Sequence, residues 1–98
     1  MDAAFFLETS IMATVHIPAQ LRPMTAGVEH LEIDAANVRQ LIESLETRFP
    51  GLRERLCDGD RIRAGLQVAI DGALSNKGFA ARLAASSDVY FLPAIGGG

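Results

Sequence analysis

The sequence has little of what secreted, membrane-spanning or nucleic-acid-binding proteins need. It contains one cysteine, Cys57, which excludes an internal disulfide framework and fits a reducing compartment. No apolar run approaches the roughly 20 residues that span a bilayer. The formal net charge is −3, so the chain lacks the basic excess that is typical of nucleic-acid-binding proteins. We therefore expect a cytoplasmic protein with no nucleic-acid partner and no membrane partner.

Recognisable enzyme machinery is also missing from the sequence. There is no glycine-rich phosphate loop after a strand, no cysteine pair and no Ser-His-Asp set in a known context. His16 and His30 could face each other across a hairpin, but zinc needs three or four ligands and nothing nearby supplies the others. The stretch CDGD, residues 57–60, indicates a turn rather than a calcium loop. We expect a binding partner, carrier or subunit rather than an enzyme, with no metal and no bound cofactor.

What is present is enough for one small domain. The chain has 98 residues, of which 49% are hydrophobic and 21% charged, a balance that is typical of globular proteins. A clear strand pattern begins at Met12, so residues 1–11 are expected to be a loose extension. Residues 12–93 are predicted to form the domain, and residues 94–98 a flexible tail.

Two segments near the start alternate as half-buried strands do. In the first, 13–18, apolar side chains occupy every second position, and Pro18 closes the run. The second, 28–34, places Leu31 and Ile33 on the side that we expect to face inward. Proline and glycine lie in the loop between the two segments. This arrangement predicts an antiparallel hairpin.

An apolar stripe with a period of 3.6 residues predicts the main helix, over residues 38–49. Its members are Val38, Leu41, Ile42, Leu45 and Phe49. Asn37 can cap the first turn, with Gln40 as the reciprocal partner of a capping box. The Pro-Gly pair at 50–51 ends the helix, and residues 52–56 are expected to add a short turn.

The second half of the chain predicts further strands. Residues 66–72 form a third strand that ends in an Asp-Gly turn, and residues 73–79 offer a short strand or turn. The last strand, 88–92, has Val89 and Phe91 on the side that we expect to face the helix. The order of elements predicts an α+β fold, with a mixed sheet of four to five strands around one main helix. This is the β-grasp arrangement.

The chain ends FLPAIGGG, residues 91–98, and this ending has a distinct chemistry. Pro93 fixes φ and keeps the exit extended. The three glycines have no Cβ, so they can enter a narrow tunnel and let a partner's backbone approach closely. Gly98 offers an unhindered α-carboxylate, which is inert to nucleophiles until it is activated, for instance as an acyl-adenylate made with ATP. A sulfur nucleophile would then give a thiocarboxylate, and an amine would give an amide.

Four motifs combine with this element order. They are LRP in the first hairpin loop, RFPGL at the helix end, VAIDG in the third strand and DVYFLPAIGGG at the end of the chain. Together they resemble the ThiS/MoaD family of ubiquitin-like sulfur carriers over residues 12–98. The most specific part is Leu92-Pro93 followed by the terminal Gly97-Gly98. The sequence departs from the family at Gly96, where many members have alanine or serine.

The resemblance implies a sulfur-carrying cycle. An E1-like adenylating enzyme docks on the sheet, consumes ATP to activate the carboxylate of Gly98, and sulfur transfer leaves a thiocarboxylate. The carrier, now loaded with sulfur, inserts its tail into an acceptor enzyme and donates sulfide. By the same mapping Gly98 carries the chemistry, and the free chain is expected to be a monomer. The residues expected to bind partners are Gly97, Gly96, Ile95, Pro93, Leu92 and Tyr90.

Two further segments bear on which enzyme accepts the sulfur. IPAQLRPMTAG, residues 17–27, and LETRFPGLRERL, residues 45–56, look most like the carriers of cysteine synthesis, in which a pyridoxal-phosphate cysteine synthase accepts the sulfur. The small subunit of molybdopterin synthase, partnered by its large subunit, and the carrier for the thiazole of thiamine stay open as alternatives. A ubiquitin-like modifier that forms amide bonds and a plain interaction module are alternatives of other classes.

Overall fold

The computed structural model describes residues 12–93. The predicted N-terminal extension and the predicted tail, residues 1–11 and 94–98, lie outside the described residues. The strands, in chain order, are β1 (Met12–His16), β2 (His30–Asp34), β3 (Cys57–Asp58), β4 (Arg61–Ile62), β5 (Leu66–Ile70), β6 (Ala73–Ser75) and β7 (Asp88–Pro93). The helices are α1 (Val38–Arg48) and α2 (Leu52–Leu56), with 3-10 helices at Ala19–Thr25 and Gly78–Ala80.

Five of the strands form one mixed sheet, in the order β2-β1-β7-β5-β6. β1 and β2 are antiparallel, with His16 opposite His30, which confirms the predicted hairpin. β7 runs parallel to β1 and antiparallel to β5, so the last strand of the chain lies at the centre of the sheet. The predicted α+β fold, with one main helix on a mixed sheet of β-grasp order, is confirmed.

The core lies between α1 and one face of the sheet. Leu41 and Leu45 of α1 are fully buried, and so are Val15 of β1 and Val89 of β7. The predicted helical stripe is therefore the core-facing side of α1. Phe49, its last member, lies just beyond the helix end and is partly buried against the same core.

The first turn of α1 is capped nearly as predicted. The Asn37 side chain accepts a hydrogen bond from the backbone N–H of Gln40 at 2.9 Å. In return, the side-chain oxygen of Gln40 accepts one from the N–H of Ala36 at 2.8 Å. The return bond thus reaches one residue further back than in the predicted capping box, where the donor is the N-cap residue itself.

The short helix α2, expected as a turn, receives its cap from the preceding helix. One oxygen of the Glu46 carboxylate accepts from the Gly51 N–H at 3.0 Å, and the other accepts from the Arg53 N–H at 2.9 Å. Gly51 has φ of +98°, a conformation that side-chain-bearing residues rarely adopt. The hydrogen bonds from Gly51, and then those from Arg53, hold the pKa of Glu46 below its ordinary value.

We expect Glu46→Gln to lower the free energy of unfolding at neutral pH and to have less effect in acid. Because folding lowers this pKa, the carboxylate's contribution is fully present above the unfolded-state pKa and is lost as the pH falls through the folded-state pKa. Denaturant unfolding of both proteins between about pH 7 and about pH 3 measures the difference. Glu43→Gln, at an exposed position of the same helix, is the control. A difference between Glu46→Gln and the parent that stays constant over this range would contradict the prediction.

The segments on either side of β5 close the core. β3 and β4 form a two-stranded hairpin around the predicted turn, a pairing that was not predicted. Cys57 is 3% exposed, and its burial raises the pKa of the thiol. The segment that connects β6 to β7 contributes three buried side chains, Phe79, Ala81 and Leu83. No helix among residues 12–93 has the length and apolar character needed to cross a membrane.

Candidate functional site

The face of the sheet that points away from α1 carries the outward side chains of β7. Tyr90 and Leu92 are 41% and 37% exposed, whereas Val89 and Phe91 are buried in the core. The alternation of the last strand therefore runs as predicted. Pro93, the last described residue, is also exposed.

The exposed apolar surface is concentrated on this one face. Among the described residues, the large hydrophobic side chains that are exposed are Met12, Leu74, Tyr90 and Leu92. The strand registers place all four on the side opposite α1. We call this surface, defined by these four residues together with His16, the docking face. Clustered exposed apolar side chains on a small domain mark an interaction surface.

Tyr90 is held in place by its neighbours on the docking face. The parallel pairing of β1 with β7 sets His16 beside Tyr90, and their rings stack at 3.9 Å with an interplanar angle of 1°. Nε2 of His16 lies 3.1 Å from Oδ1 of Asp88. A side chain that is ordered before a partner arrives loses less conformational entropy on binding. Tyr90 is thus an exposed aromatic side chain that is held in place within the free domain.

The start of β7 is anchored by the turn between β5 and β6. The carboxylate of Asp71 accepts from the N–H of Asp88 at 2.8 Å and from the hydroxyl of Ser87 at 2.9 Å. Asp71 and Gly72 have φ of +53° and +87°, and both positive angles suit the predicted two-residue Asp-Gly turn. The turn thereby fixes where the last strand begins.

A groove of about 280 Å³ lies beside the point where the chain leaves the sheet. We call it the tail groove. It runs between the end of β7 and the 3-10 helix Ala19–Thr25, with Leu92 and Pro93 on one side and Pro18 on the other. Nε of Arg22 donates to the carbonyl of Ile17 at 3.1 Å, which ties the 3-10 helix to the end of β1. This groove was not predicted, because it depends on how the hairpin loop packs.

The structure brings together only part of the predicted site. Tyr90, Leu92 and Pro93 lie on one continuous surface, whereas Ile95 and the glycines 96–98 lie outside the described residues. The rings of His16 and His30 are neighbours, with centroids 5.8 Å apart. Between Met12 and Pro93 no group of three or more His, Cys, Asp or Glu side chains is placed to hold a metal ion.

The fold defines the class of protein: a ubiquitin-like β-grasp domain, with exposed apolar side chains on the face of its sheet that points away from α1. A family model described as the ThiS family matches residues 15–98. The chain belongs to the ThiS family.

Individual relatives agree with this assignment. The chain is 32% identical to the sulfur carrier protein CysO of Mycobacterium tuberculosis over 90 residues, which cover 87% of this chain and 97% of the relative. It superimposes on a chain of the Amycolatopsis orientalis BexX/CysO complex with a TM-score of 0.80 and 28% identity, covering 88% of this chain and 99% of the other. The crystal structure of Mycobacterium tuberculosis CysO gives a TM-score of 0.77 and 27% identity, covering 85% and 99%.

A more distant similarity shows the fold alone. Small archaeal modifier protein 1 of Methanosarcina acetivorans has a TM-score of 0.72 at 23% identity, covering 91% of this chain and 98% of the other.

Proposed function

We propose that this chain is a sulfur carrier that is loaded at Gly98 and delivers sulfur to a biosynthetic enzyme. The observation that carries the proposal is the 32% identity to a sulfur carrier protein over almost the whole length of that relative. The match of the family model to the last residue of the sequence, Gly98, supports the same group as the site of loading. In this scheme the chain is a co-substrate of other enzymes and not itself a catalyst.

The chemistry that we propose needs only the α-carboxylate of Gly98. A carboxylate oxygen attacks the α-phosphorus of ATP, pyrophosphate leaves, and a mixed anhydride with AMP is formed. A sulfur nucleophile such as hydrosulfide then attacks the acyl carbon, AMP leaves with the former carboxylate oxygen, and a thiocarboxylate results. ATP is consumed by the activating partner, so the carrier itself binds no cofactor. The absence of a Cβ at Gly97 and Gly98 favours close approach of the partner's backbone.

The docking face is the surface that we propose for the E1-like activating enzyme. Its apolar area, the stacked Tyr90 and the adjacent tail groove support this role, and the BexX/CysO complex shows that a related carrier forms an assembly with a second protein. For the acceptor we propose a cysteine synthase, because the relatives at 27–32% identity carry the name CysO. A molybdopterin synthase large subunit is the alternative, supported by a putative molybdopterin converting factor of Pyrococcus furiosus at 25% identity and a TM-score of 0.68.

The test of the proposed function is the intact mass of the chain after incubation with ATP, sulfide and the host's E1-like enzyme. We expect an ATP-dependent gain equal to the replacement of one oxygen by sulfur. One control omits ATP and tests whether the gain depends on it. A second control uses another carrier on which the enzyme is active and shows that the enzyme works. An unchanged mass beside an active control would contradict the proposal, and a covalent adduct with a protein amine would instead indicate a modifier.

Alanine substitution on the docking face tests the surface separately. We expect Tyr90→Ala and Leu92→Ala each to lower kcat/KM for ATP-dependent loading by about tenfold or more, which is typical of interface anchors. Leu74→Ala is the matched comparison, since Leu74 is also an exposed leucine of this face but lies at its rim, on the edge strand β6, where we expect a smaller loss. The melting temperature of each variant is compared with that of the parent to check that the variant is folded. Equal losses in all three variants, or none in any, would be inconsistent with a site centred on β7.

A further inference from the structure

A groove with a volume of about 670 Å³ lies at the edge of the sheet beside β5 and β6. Three cationic residues line it, each from a different part of the chain: Arg39 from α1, Arg61 from β4 and Lys77 from the turn before the second 3-10 helix. We call it the basic groove. It has no part in the proposed sulfur chemistry or in the docking face.

The cations of the basic groove are not neutralised within the domain. All three are exposed, and none has a carboxylate of the described residues within 4.0 Å. Asp60 is the one acid among the lining residues, and its carboxylate lies 3.7 Å from Arg53. In a chain with a net charge of −3, this groove is thus a local concentration of unpaired positive charge.

The groove is also partly pre-organised. The guanidinium carbon of Arg39 lies 4.9 Å from the ring centre of Phe79, and that of Arg53 lies 5.9 Å from it. Both distances suit cation–π contacts. Arg39 is the one of these two arginines that lines the groove, and its contact with Phe79 holds its guanidinium group in place. Phe79 is only 8% exposed, so its ring is not available to stack on a nucleobase. Amide and hydroxyl groups of Gln67, Ser75 and Asn76 add hydrogen-bonding capacity to the walls.

The basic groove begins where the chain leaves the sheet. Leu66 and Gln67 line it, and in the sheet they lie opposite Pro93 and Leu92. A protein that holds the end of the chain is therefore within reach of the groove without any change in the fold.

We propose that the basic groove binds an acidic peptide segment of the enzyme that receives the end of the chain. An extended acidic segment fits three cations spread over separate elements of an open groove, whereas a nucleotide would lack an aromatic surface for its base. Complementary charge at an interface directs partner choice and accelerates association. The assignment of the partner as that enzyme rests on the proposed function. The acidic character of its segment is inferred from the cations of the groove alone.

The experiment is a nuclear magnetic resonance titration of the isotope-labelled full chain with a synthetic peptide of alternating glutamate and serine. A peptide with glutamine in place of glutamate is the control ligand. We expect shifts at the lining residues with the acidic peptide, decreasing with added salt. Arg39→Gln, Arg61→Gln and Lys77→Gln together are expected to weaken binding by about tenfold, as the loss of three exposed ion pairs implies.

Arg48→Gln, Arg55→Gln and Arg82→Gln together form the matched control, because they remove the same charge from exposed positions outside the groove. If the triple groove variant does not fold, Arg61→Gln with Lys77→Gln leaves the contact of Arg39 with Phe79 intact, and Arg48→Gln with Arg55→Gln is its control.

Absence of binding, or equal weakening in the groove and control variants, would overturn the proposal. Shifts of the same lining residues by ATP, with an affinity at least equal to that of the peptide, would overturn it in favour of a small-anion site. The titration contains no enzyme and no sulfur, so its failure would leave the mass experiment unaffected. Failure of the mass experiment would contradict the assignment of the acidic segment to a sulfur-transfer enzyme, but it would not contradict the binding of an acidic segment.

Discussion

Addition of one alanine after Gly98 is expected to abolish the ATP-dependent gain of sulfur. The added residue moves the reactive carboxylate by up to about 3.5 Å along an extended chain and places a Cβ next to it. The partner's site, which we propose to be narrow enough to require glycine, would then no longer align the carboxylate with ATP. Intact mass with the E1-like enzyme, ATP and sulfide measures the effect.

The control for this extension is the same alanine added before Met1, which we expect to leave loading unchanged. The mass of the starting material shows whether a protease has removed the added residue. Loading of the intact extended chain at the parent rate would contradict the assignment of Gly98. A plain interaction module would bind its partner equally well with either extension and would gain no sulfur even as the parent chain, so loading of the parent separates the two classes.

Gly98→Ala distinguishes the effect of an added side chain from the effect of a longer chain. It keeps the carboxylate at its original position and adds one methyl group, so we expect slower loading and no change in the melting temperature. Unchanged loading would contradict the narrow-tunnel argument and leave the role of the carboxylate standing.

Leu45→Ala is expected to lower the free energy of unfolding by about 2–5 kcal/mol, the usual cost of removing a large apolar side chain from a core. Leu45 is fully buried in the stripe of α1 that faces the sheet. A loss of this size is a large fraction of the roughly 5–15 kcal/mol by which small domains are stable. Denaturant unfolding, with parent and variant compared at one temperature, measures it.

Glu43→Ala is the control for Leu45→Ala, because Glu43 is exposed and lies two residues earlier on the same helix. We expect it to change the free energy of unfolding by less than about 0.5 kcal/mol. Equal unfolding midpoints for Leu45→Ala and the parent would contradict the core assignment of α1. Leu45→Ala is also expected to load sulfur normally under conditions where it is folded, since Leu45 is absent from the docking face.

The features that follow from local periodicity could be predicted from the order of residues alone. The stripe of α1 repeats every 3.6 residues, and the alternation in β7 separates Val89 and Phe91 from Tyr90 and Leu92. Such patterns depend on residues a few positions apart, because helices and strands repeat over short distances. The Asp-Gly turn belongs to the same group, since it requires two adjacent residues that tolerate positive φ.

Contacts between distant segments could not be predicted in this way, because they depend on how the strands and loops pack in the folded domain. The stack of His16 on Tyr90 joins residues 74 positions apart in the sequence, and it exists because β7 pairs in parallel with β1. The basic groove likewise combines Arg39, Arg61 and Lys77, which no local pattern connects. The carboxylate of Glu46 caps a different helix, because the Pro-Gly bend brings that helix within reach. The sequence indicates which residues prefer a strand or a helix. Which strands and loops become neighbours depends on how these elements pack to bury a shared core.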